Sequence, residues 1–401
     1  REFIGINDRL STFLTPPESE ITIVQRSHNH CPFLQAIGSR FMHDIQVDQY
    51  DELLAQKQQL IETQFKPFDM PKLAVYASEP LHFRQRAEFR IWHHEGRCFH
   101  AMFKPGTKSD PIEITDFPIA SKVICDLIPK LNHALNSNPI LKERLFTIEY
   151  LGALSGDMLV TLIYHRQLDD EWQLAAKALK AELGIHIIGR ARKMRILLDQ
   201  DHVIETLTVD GKELKYKQIE ASFTQPNAHV NQHMLSWARA CVKGSKGDLL
   251  ELYCGNGNFS IALADLFNRV VATEISKTSV RAANDNKTMN GITNIDFAKV
   301  SAEEFTAHMN GSHLRRRLED LALESADFQT VLVDPPRAGL DIESCRMIAS
   351  YNNIVYISCN PNTLEDNLKE LTKTHNIVRF AMFDQFPYTH HIESGVYLVK
   401  R

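Results

Sequence analysis

Seven cysteines are scattered along the sequence with no C-x-x-C pair among them. That absence argues against a zinc site, an iron–sulfur cluster or a disulfide framework, and for a reducing cytoplasm. There is no apolar run near the roughly 20 residues that a membrane span needs. The opening residues do not follow the charged, apolar and small-residue order of a signal peptide. Positive charge is not in excess either: 45 Lys and Arg stand against 50 Asp and Glu, a net −5. Any nucleic-acid binding must then rest on a local basic face. No internal repeat or low-complexity tract is evident, and nothing calls for a metal or an obligate protein partner. What remains is 401 residues, 43% hydrophobic, enough for two domains with cores of their own.

Residues 1–41 have little periodicity and read as a poorly ordered extension, with Met42 a plausible natural start. In "VDQYDELLAQKQQLIETQF", Tyr50, Leu53, Leu54 and Ile61 fall near one face of a helix. "RQRAEFRIWHH" and "CFHAMFK" flank a Glu-Gly turn and predict a hairpin. A helix over "SKVICDLIPKLNHAL", a hairpin in "FTIEYLGALSGDMLVTLIYH" and a helix closed by Gly184 follow. Residues 42–220 are thus expected to form an α+β domain of antiparallel strands with an amino-terminal helix. From 221 to 401, helices alternate with short apolar runs: "DLLELYC", "RVVATE", "NIDFAKV", "TVLVDPP", "NIVYISC" and "GVYLVKR". This alternation predicts an α/β, doubly wound, Rossmann-like sheet, whose ligands lie outside the carboxyl ends of the strands.

"LLELYCGNGNFSIAL" places Gly255 and Gly257 between a strand and a helix, where a ligand can approach the backbone. The third glycine of the dinucleotide fingerprint is missing. The next strand ends in "VVATEIS", with Glu274 suited to hold two ribose hydroxyls. An adenosyl ligand without a diphosphate, S-adenosylmethionine, fits this pairing better than NAD. The plainer alternative is that the glycines only turn the chain and Glu274 caps a helix.

The strand "VLVDPPRAGL" ends in a stiff Pro-Pro loop that fixes Asp334 and Arg337 at the sheet edge. There a carboxylate can bind a donor group and a guanidinium an anion or base carbonyl; otherwise the two are a surface pair. The neighbouring strand ends "VYISCNP". Cysteine is usually inert packing, but Cys359 precedes a helix start at Pro361 and is expected near Arg337. Both features would favour its thiolate. "DQFPYTHHIESGVYLVKR" leads into a terminal strand expected to run antiparallel, which brings Glu393 to the same edge. His390 and His391 are alternative bases on residue chemistry alone.

A nucleophilic cysteine, a base, a donor site and an enolate stabiliser suit methylation of C5 of uracil, which is too weak a nucleophile unaided. Thiolate addition at C6 makes C5 nucleophilic, and a base must then remove the C5 hydrogen. Simple N- or O-methylation needs no nucleophile. A base in RNA must also leave its stack, which favours an aromatic-lined pocket; Phe223 and Phe386-Pro387-Tyr388 are available. In the amino-terminal section, Arg84, Arg86 and Arg90 alternate along one strand face, and Lys104 and Lys108 follow. "GRARKMRI" adds Arg190, Arg192, Lys193 and Arg195. These suggest a phosphate-binding patch, with charged guarding of strand edges as the alternative.

The segments "SFTQPN", "LLELYCGNGNFS", "DPPR", "SCNP", "FDQFPYTHHIE" and "RAEFRIWH" together resemble the bacterial tRNA (uracil-5-)-methyltransferases. The resemblance runs from about Met42 to the end of the chain. It implies a class I S-adenosylmethionine-dependent methyltransferase domain behind an RNA-binding domain, with Cys359 as nucleophile and Glu393 as base. Donor contacts are implied for Gln225, Tyr253, Asn258, Glu274 and Asp334, and RNA contacts for Arg90, Phe146 and Arg337. Phe146 is expected to stack on a T-loop base. The implied product is ribothymidine at position 54 in the tRNA T-arm, and also in tRNA-like RNA such as tmRNA. The same chemistry on rRNA and a role in RNA folding or binding are the competing expectations; the lack of a cysteine-rich amino-terminal motif separates the chain from cluster-bearing rRNA relatives.

Overall fold

The computed structural model describes Ile45, residues 47–103 and 110–311, Leu318 and residues 321–401. The expected extension over 1–41 therefore lies outside the described residues, as do Lys104 and Lys108. After helix α1 (Tyr50–Phe65) come strands β1 (Leu73–Tyr76), β2 (Arg86–His94), β3 (Arg97–Phe103) and β4 (Pro111–Glu113). Helix α2 (Lys122–Ser137) leads to β5 (Leu145–Gly152) and β6 (Met158–Tyr164). Helix α3 (Asp170–Leu183) ends at Gly184, whose φ of 65° is the left-handed cap that glycine accepts at least cost. Strands β7 (His186–Ala191) and β8 (Met194–Leu197) complete a seven-stranded sheet in the order β4-β3-β2-β5-β6-β7-β8. One face of that sheet buries Phe89, Ile148, Val160 and Ile187 beneath the helices, while alternate residues of β2, among them Arg86, Glu88 and Arg90, face the other way.

A two-stranded ribbon, β9 (His202–Val209) and β10 (Lys212–Ile219), separates this sheet from the second one. Helix α4 (Ala228–Val242) is followed by β11 (Asp248–Leu252), α5 (Asn258–Leu263), β12 (Val270–Thr273), α6 (Lys277–Met289) and β13 (Ile295–Ala298). Strands β14 (Phe328–Val333) and β15 (Asn353–Ser358), helix α7 (Pro361–Leu371), and strands β16 (His375–Phe383) and β17 (Glu393–Lys400) complete the chain. The second sheet is ordered β1-β16-β17-β15-β14-β11-β12-β13. Strands β11 to β15 pair in parallel, and β17 runs antiparallel to β15 and β16, as the terminal strand was expected to do. The chain reverses its direction of travel between β12–β13 and β14–β15. The carboxyl ends of β11 and β14 therefore flank a switch-point crevice.

One segment falls elsewhere than its place in the sequence suggests. Helix α1 and β1 belong with the second sheet, not with the antiparallel strands that follow them. Strand β1 adds to its edge in parallel with β16, and Ile61 and Phe65 are buried in the same core as Leu250, Val331 and Ile354. The ring of Phe65 meets that of Phe380 at 5.3 Å. The amphipathic face of the helix was readable in the sequence, but a stripe of apolar residues does not say which of two sheets it covers.

Candidate active site

At the end of β11 the chain turns out of the sheet through three positive-φ residues: Tyr253 at 63°, Gly255 at 56° and Gly257 at 82°. Gly257 is needed twice over, because a Cβ there would stand 3.0 Å from the Phe297 ring. A Cβ on Gly255 would meet nothing within 4 Å, so this backbone faces open space where a ligand can approach. Glu274 lies against the same loop. Its Oε2 accepts from Gly255 N–H at 3.1 Å and its Oε1 from Ser276 N–H at 2.7 Å. Each carboxylate oxygen is held by a backbone amide and keeps a lone pair for another donor, such as a ribose hydroxyl. The residues present thus fit an adenosyl group.

Asn258 opens α5, and its amide pairs reciprocally with Asn231 of α4 at 2.9 Å in both directions, which fixes its orientation and leaves one N–H on each amide. Tyr253 donates its hydroxyl to Glu303 at 3.3 Å. Gln225 is half-buried, just before the Pro226 carbonyl that accepts from Gln85 N–H. Asn231 was not anticipated, and neither was Glu251, which is buried below the loop and hydrogen-bonded by Ser260. Burial pushes the Glu251 carboxyl up to about 8, and the negative field of Asp334 and Glu274 adds to this. Nothing in "LLELYC" distinguishes this glutamate from an ordinary strand residue.

The loops after β14 and β15 are tied to each other directly. Asn360 Nδ2 donates to the Arg337 carbonyl at 2.9 Å and Thr363 Oγ1 to the same oxygen at 3.3 Å. Asn360 also caps α7, accepting from Asn362 N–H at 3.2 Å, with Pro361 at the first helical position. Ser358 Oγ accepts from Asn360 N–H at 3.2 Å. Cys359 is therefore clamped between hydrogen-bonded neighbours. In the β15–β17 ladder Ser358 pairs with Ser394, so one step further along the register Cys359 stands opposite Glu393, the first residue of β17. Asp334, Arg337, Cys359 and Glu393 thus share one sheet edge, beside the glycine loop of β11.

The electrostatics differ from expectation. Helix start and guanidinium were expected to favour a Cys359 thiolate. Instead, burial first, then the negative fields of Glu393 and Asp334, push the thiol up to about 12, and Arg337 only partly opposes them. Burial raises Asp334 itself to about 7. Arg337 is drawn aside, its Nη2 lying 2.9 Å from His391 Nδ1. Burial, together with His390 and the cations Arg337 and Lys57, holds His391 down at about 3. His391 is consequently a neutral hydrogen-bond acceptor and a weak base, and His390 is shifted down as well. Of the proposed pocket aromatics, Phe223 is 68% exposed. Phe386 is buried, and Tyr388 donates to the Pro80 carbonyl.

On the antiparallel sheet the basic residues are only partly available. Arg190 pairs with Glu220 at 2.6 Å, and Arg195 reaches Glu220 at 3.4 Å and Asp201 at 3.3 Å. Arg86 donates to the Ser222 carbonyl. Arg192 and Lys193 remain exposed at the β7–β8 turn, and Arg90 is exposed on β2. The Arg90 guanidinium lies 3.3 Å from the centroid of the Phe146 ring, and the His165 ring stacks on Phe146 at 3.7 Å. Two groups so close to one centroid must take opposite faces. Phe146 is thus the middle layer of a stack, so a base reaching it would meet Arg90 or His165 first. His165 was missed because it follows β6, while Phe146 is the second residue of β5. Among the described residues no cluster of three or more His, Cys, Asp or Glu could hold a metal ion, and no helix is long and apolar enough to cross a membrane.

A family model described as tRNA (Uracil-5-)-methyltransferase matches residues 49–401. The chain belongs to this family. It is 53% identical over 356 residues to the tRNA/tmRNA (uracil-C(5))-methyltransferase of Pseudoalteromonas atlantica, covering 88% of this chain and 97% of that protein. It is 50% identical over 368 residues to the enzyme of the same name from Actinobacillus pleuropneumoniae, covering 89% of this chain and 100% of the other. Among solved structures, the Pyrococcus abyssi tRNA (uracil-54, C5)-methyltransferase in complex with S-adenosyl-L-homocysteine shares the fold. That match has a TM-score of 0.66 at 20% identity and covers 87% of this chain and 83% of that one. Membership of the family agrees with the resemblance read from the motifs.

Proposed function

We propose that this enzyme methylates C5 of uridine 54 in the T-arm of tRNA, and of the tRNA-like part of tmRNA, in the cytoplasm. The observation that carries the reading is Cys359 standing opposite Glu393 at the sheet edge, next to a glycine loop against which the Glu274 carboxylate is held by two backbone amides. The relatives' names and the uracil-54 specificity of the Pyrococcus abyssi protein support it.

When bound, S-adenosylmethionine supplies the methyl group. Glu274 holds the ribose, Asn258 and Gln225 offer amides, and the exposed backbone at Gly255 allows close approach. Cys359 gives its thiol proton to solvent and its sulfur bonds to C6 of the uracil, and the C5–C6 π electrons move towards O4, where Arg337 can stabilise the enolate. After methyl transfer to C5, Glu393 accepts the C5 proton. The electron pair it leaves reforms C5=C6, and the C6–S bond breaks with its electrons returning to Cys359. The antiparallel sheet, with Arg90, Phe146 and the exposed Arg192 and Lys193, is assigned to the RNA.

The test is incubation with S-adenosylmethionine and unmodified tRNA, tmRNA and rRNA transcripts, followed by mapping of 5-methyluridine by mass spectrometry. The reading requires 5-methyluridine at position 54 of tRNA. Modification of rRNA alone overturns it.

A further inference from the structure

The amino-terminal helix reaches the loop in front of Glu393 through a buried ion pair that the uracil chemistry does not use. Lys57 of α1 is 5% exposed, with Nζ 2.7 Å from Asp384 Oδ1 and 2.8 Å from the Phe386 carbonyl. Asp384 also accepts from the Tyr50 hydroxyl at 3.0 Å, and its own N–H donates to the Tyr76 carbonyl. The Tyr50 hydroxyl in turn accepts from Ser78 N–H at 2.7 Å. Two segments remote in sequence thus meet at one carboxylate.

Adhesion does not need this arrangement. Ile61 and Phe65 already bury the helix against the sheet, and a desolvated ion pair is poor glue compared with apolar residues of the same volume. What it adds is geometry, and that geometry leads to the base. Asp384 directly follows Phe383, the strand partner of Glu393, so the loop over residues 384–392 begins beside Glu393 and ends at it. The Phe386 carbonyl is the hub of the loop, accepting from Lys57, from Thr389 Oγ1 at 2.8 Å and from Thr389 N–H at 3.3 Å. Thr389 Oγ1 accepts from His391 N–H at 3.2 Å, and the His391 ring meets Arg337. Hydrogen bonds therefore run from Lys57 to Arg337 around Glu393, which is 3% exposed.

We propose that Lys57, Asp384 and Tyr50 are positioning residues for the elimination half of the reaction. They set the loop so that Glu393 meets the C5 proton once the methyl group is in place. The inference rests on the roles given above to Cys359 and Glu393.

Lys57→Met and Tyr50→Phe, made in the full chain, test it with unmodified tRNA transcript and S-adenosylmethionine in single turnovers. Methyl incorporation and the RNA–protein adduct on denaturing gels are followed together, and melting temperature is measured. Incorporation should stay within about twofold of the parent chain, while the adduct lives roughly tenfold longer in Lys57→Met and severalfold longer in Tyr50→Phe. Lys57→Met/Asp384→Leu, which removes both charges, should melt like the parent yet still release slowly. A fall of incorporation and release in equal measure, or prompt release by folded variants, overturns the inference. If Lys57→Met does not fold, Tyr50→Phe decides, since it loses one hydroxyl and keeps its ring against Tyr388. Glu393→Gln in parallel separates two failures. No adduct there removes the catalytic reading and this inference with it. An adduct there, with prompt release in the other two, removes this inference alone.

Discussion

Replacing Glu393 by Gln should make Cys359 more reactive while stopping turnover. The register places the two residues opposite each other across β15 and β17, where facing backbones are about 5 Å apart. Two unit charges at that distance repel by about 3 kcal/mol at an effective dielectric of about 20, roughly a hundredfold in thiolate population. Solvent at a half-buried sulfur reduces this to roughly tenfold. With the thiol at about 12 in the ligand-free protein, thiolate is scarce at pH 8, and alkylation by iodoacetamide should rise in proportion to it. The assay is the rate of iodoacetamide labelling of the Cys359 peptide, read by mass spectrometry, with Cys359→Ala as the blank. The other described cysteines are buried or, like Cys125, raised by burial, and because the readout is the Cys359 peptide their labelling does not enter it. An unchanged or slower rate in folded Glu393→Gln refutes the claim that this carboxylate suppresses the thiolate.

Glu274→Ala should weaken S-adenosylmethionine binding in calorimetry about tenfold to a hundredfold, since it removes a charged acceptor and the anchor of the Gly255 loop; unchanged affinity counts against the ribose site. Arg90→Ala should lower tRNA affinity and make its logarithmic salt dependence shallower by about 0.7 to 1; lost affinity at unchanged slope limits Arg90 to stacking on Phe146. Buried Glu205 is raised by burial from 4.5 to about 7, its Oε1 accepting from Leu154 and Thr206 N–H. A carboxyl raised on folding favours the folded state most below about pH 4.5, and that contribution is lost as pH climbs through 7, on the order of 3 kcal/mol. Glu205→Gln should therefore flatten the fall in stability between pH 5 and pH 8 in denaturant titrations, and an equally steep fall contradicts the assignment.

The features legible in the sequence were those written by local periodicity and by loop chemistry. Strand–helix alternation gave the doubly wound sheet, and "CGNGN", "DPPR" and "SCNP" marked the carboxyl ends of β11, β14 and β15. What stayed hidden depended on pairs distant in sequence. Lys57 and Asp384 are 327 residues apart, and a lysine on a polar helix face gives no sign that it will be buried. Glu220 neutralises Arg190 from 30 residues downstream, so counting arginines in "GRARKMRI" overstated the free charge. The acidity of Cys359 was misjudged for a different reason. Asp334 and Glu393 were already placed at its edge with Arg337, but the pattern carries no measure of burial, which raises the thiol most.

The central claim is that Cys359 attacks the base that receives the methyl group and that Glu393 ends the attachment. Its most direct test is the mass of the Cys359 peptide after Glu393→Gln has reacted with S-adenosylmethionine and tRNA, followed by nuclease and protease digestion. The account predicts that peptide carrying one nucleotide with one added methyl group. Methylated tRNA with no nucleotide on Cys359, or full methylation by Cys359→Ala, would contradict it.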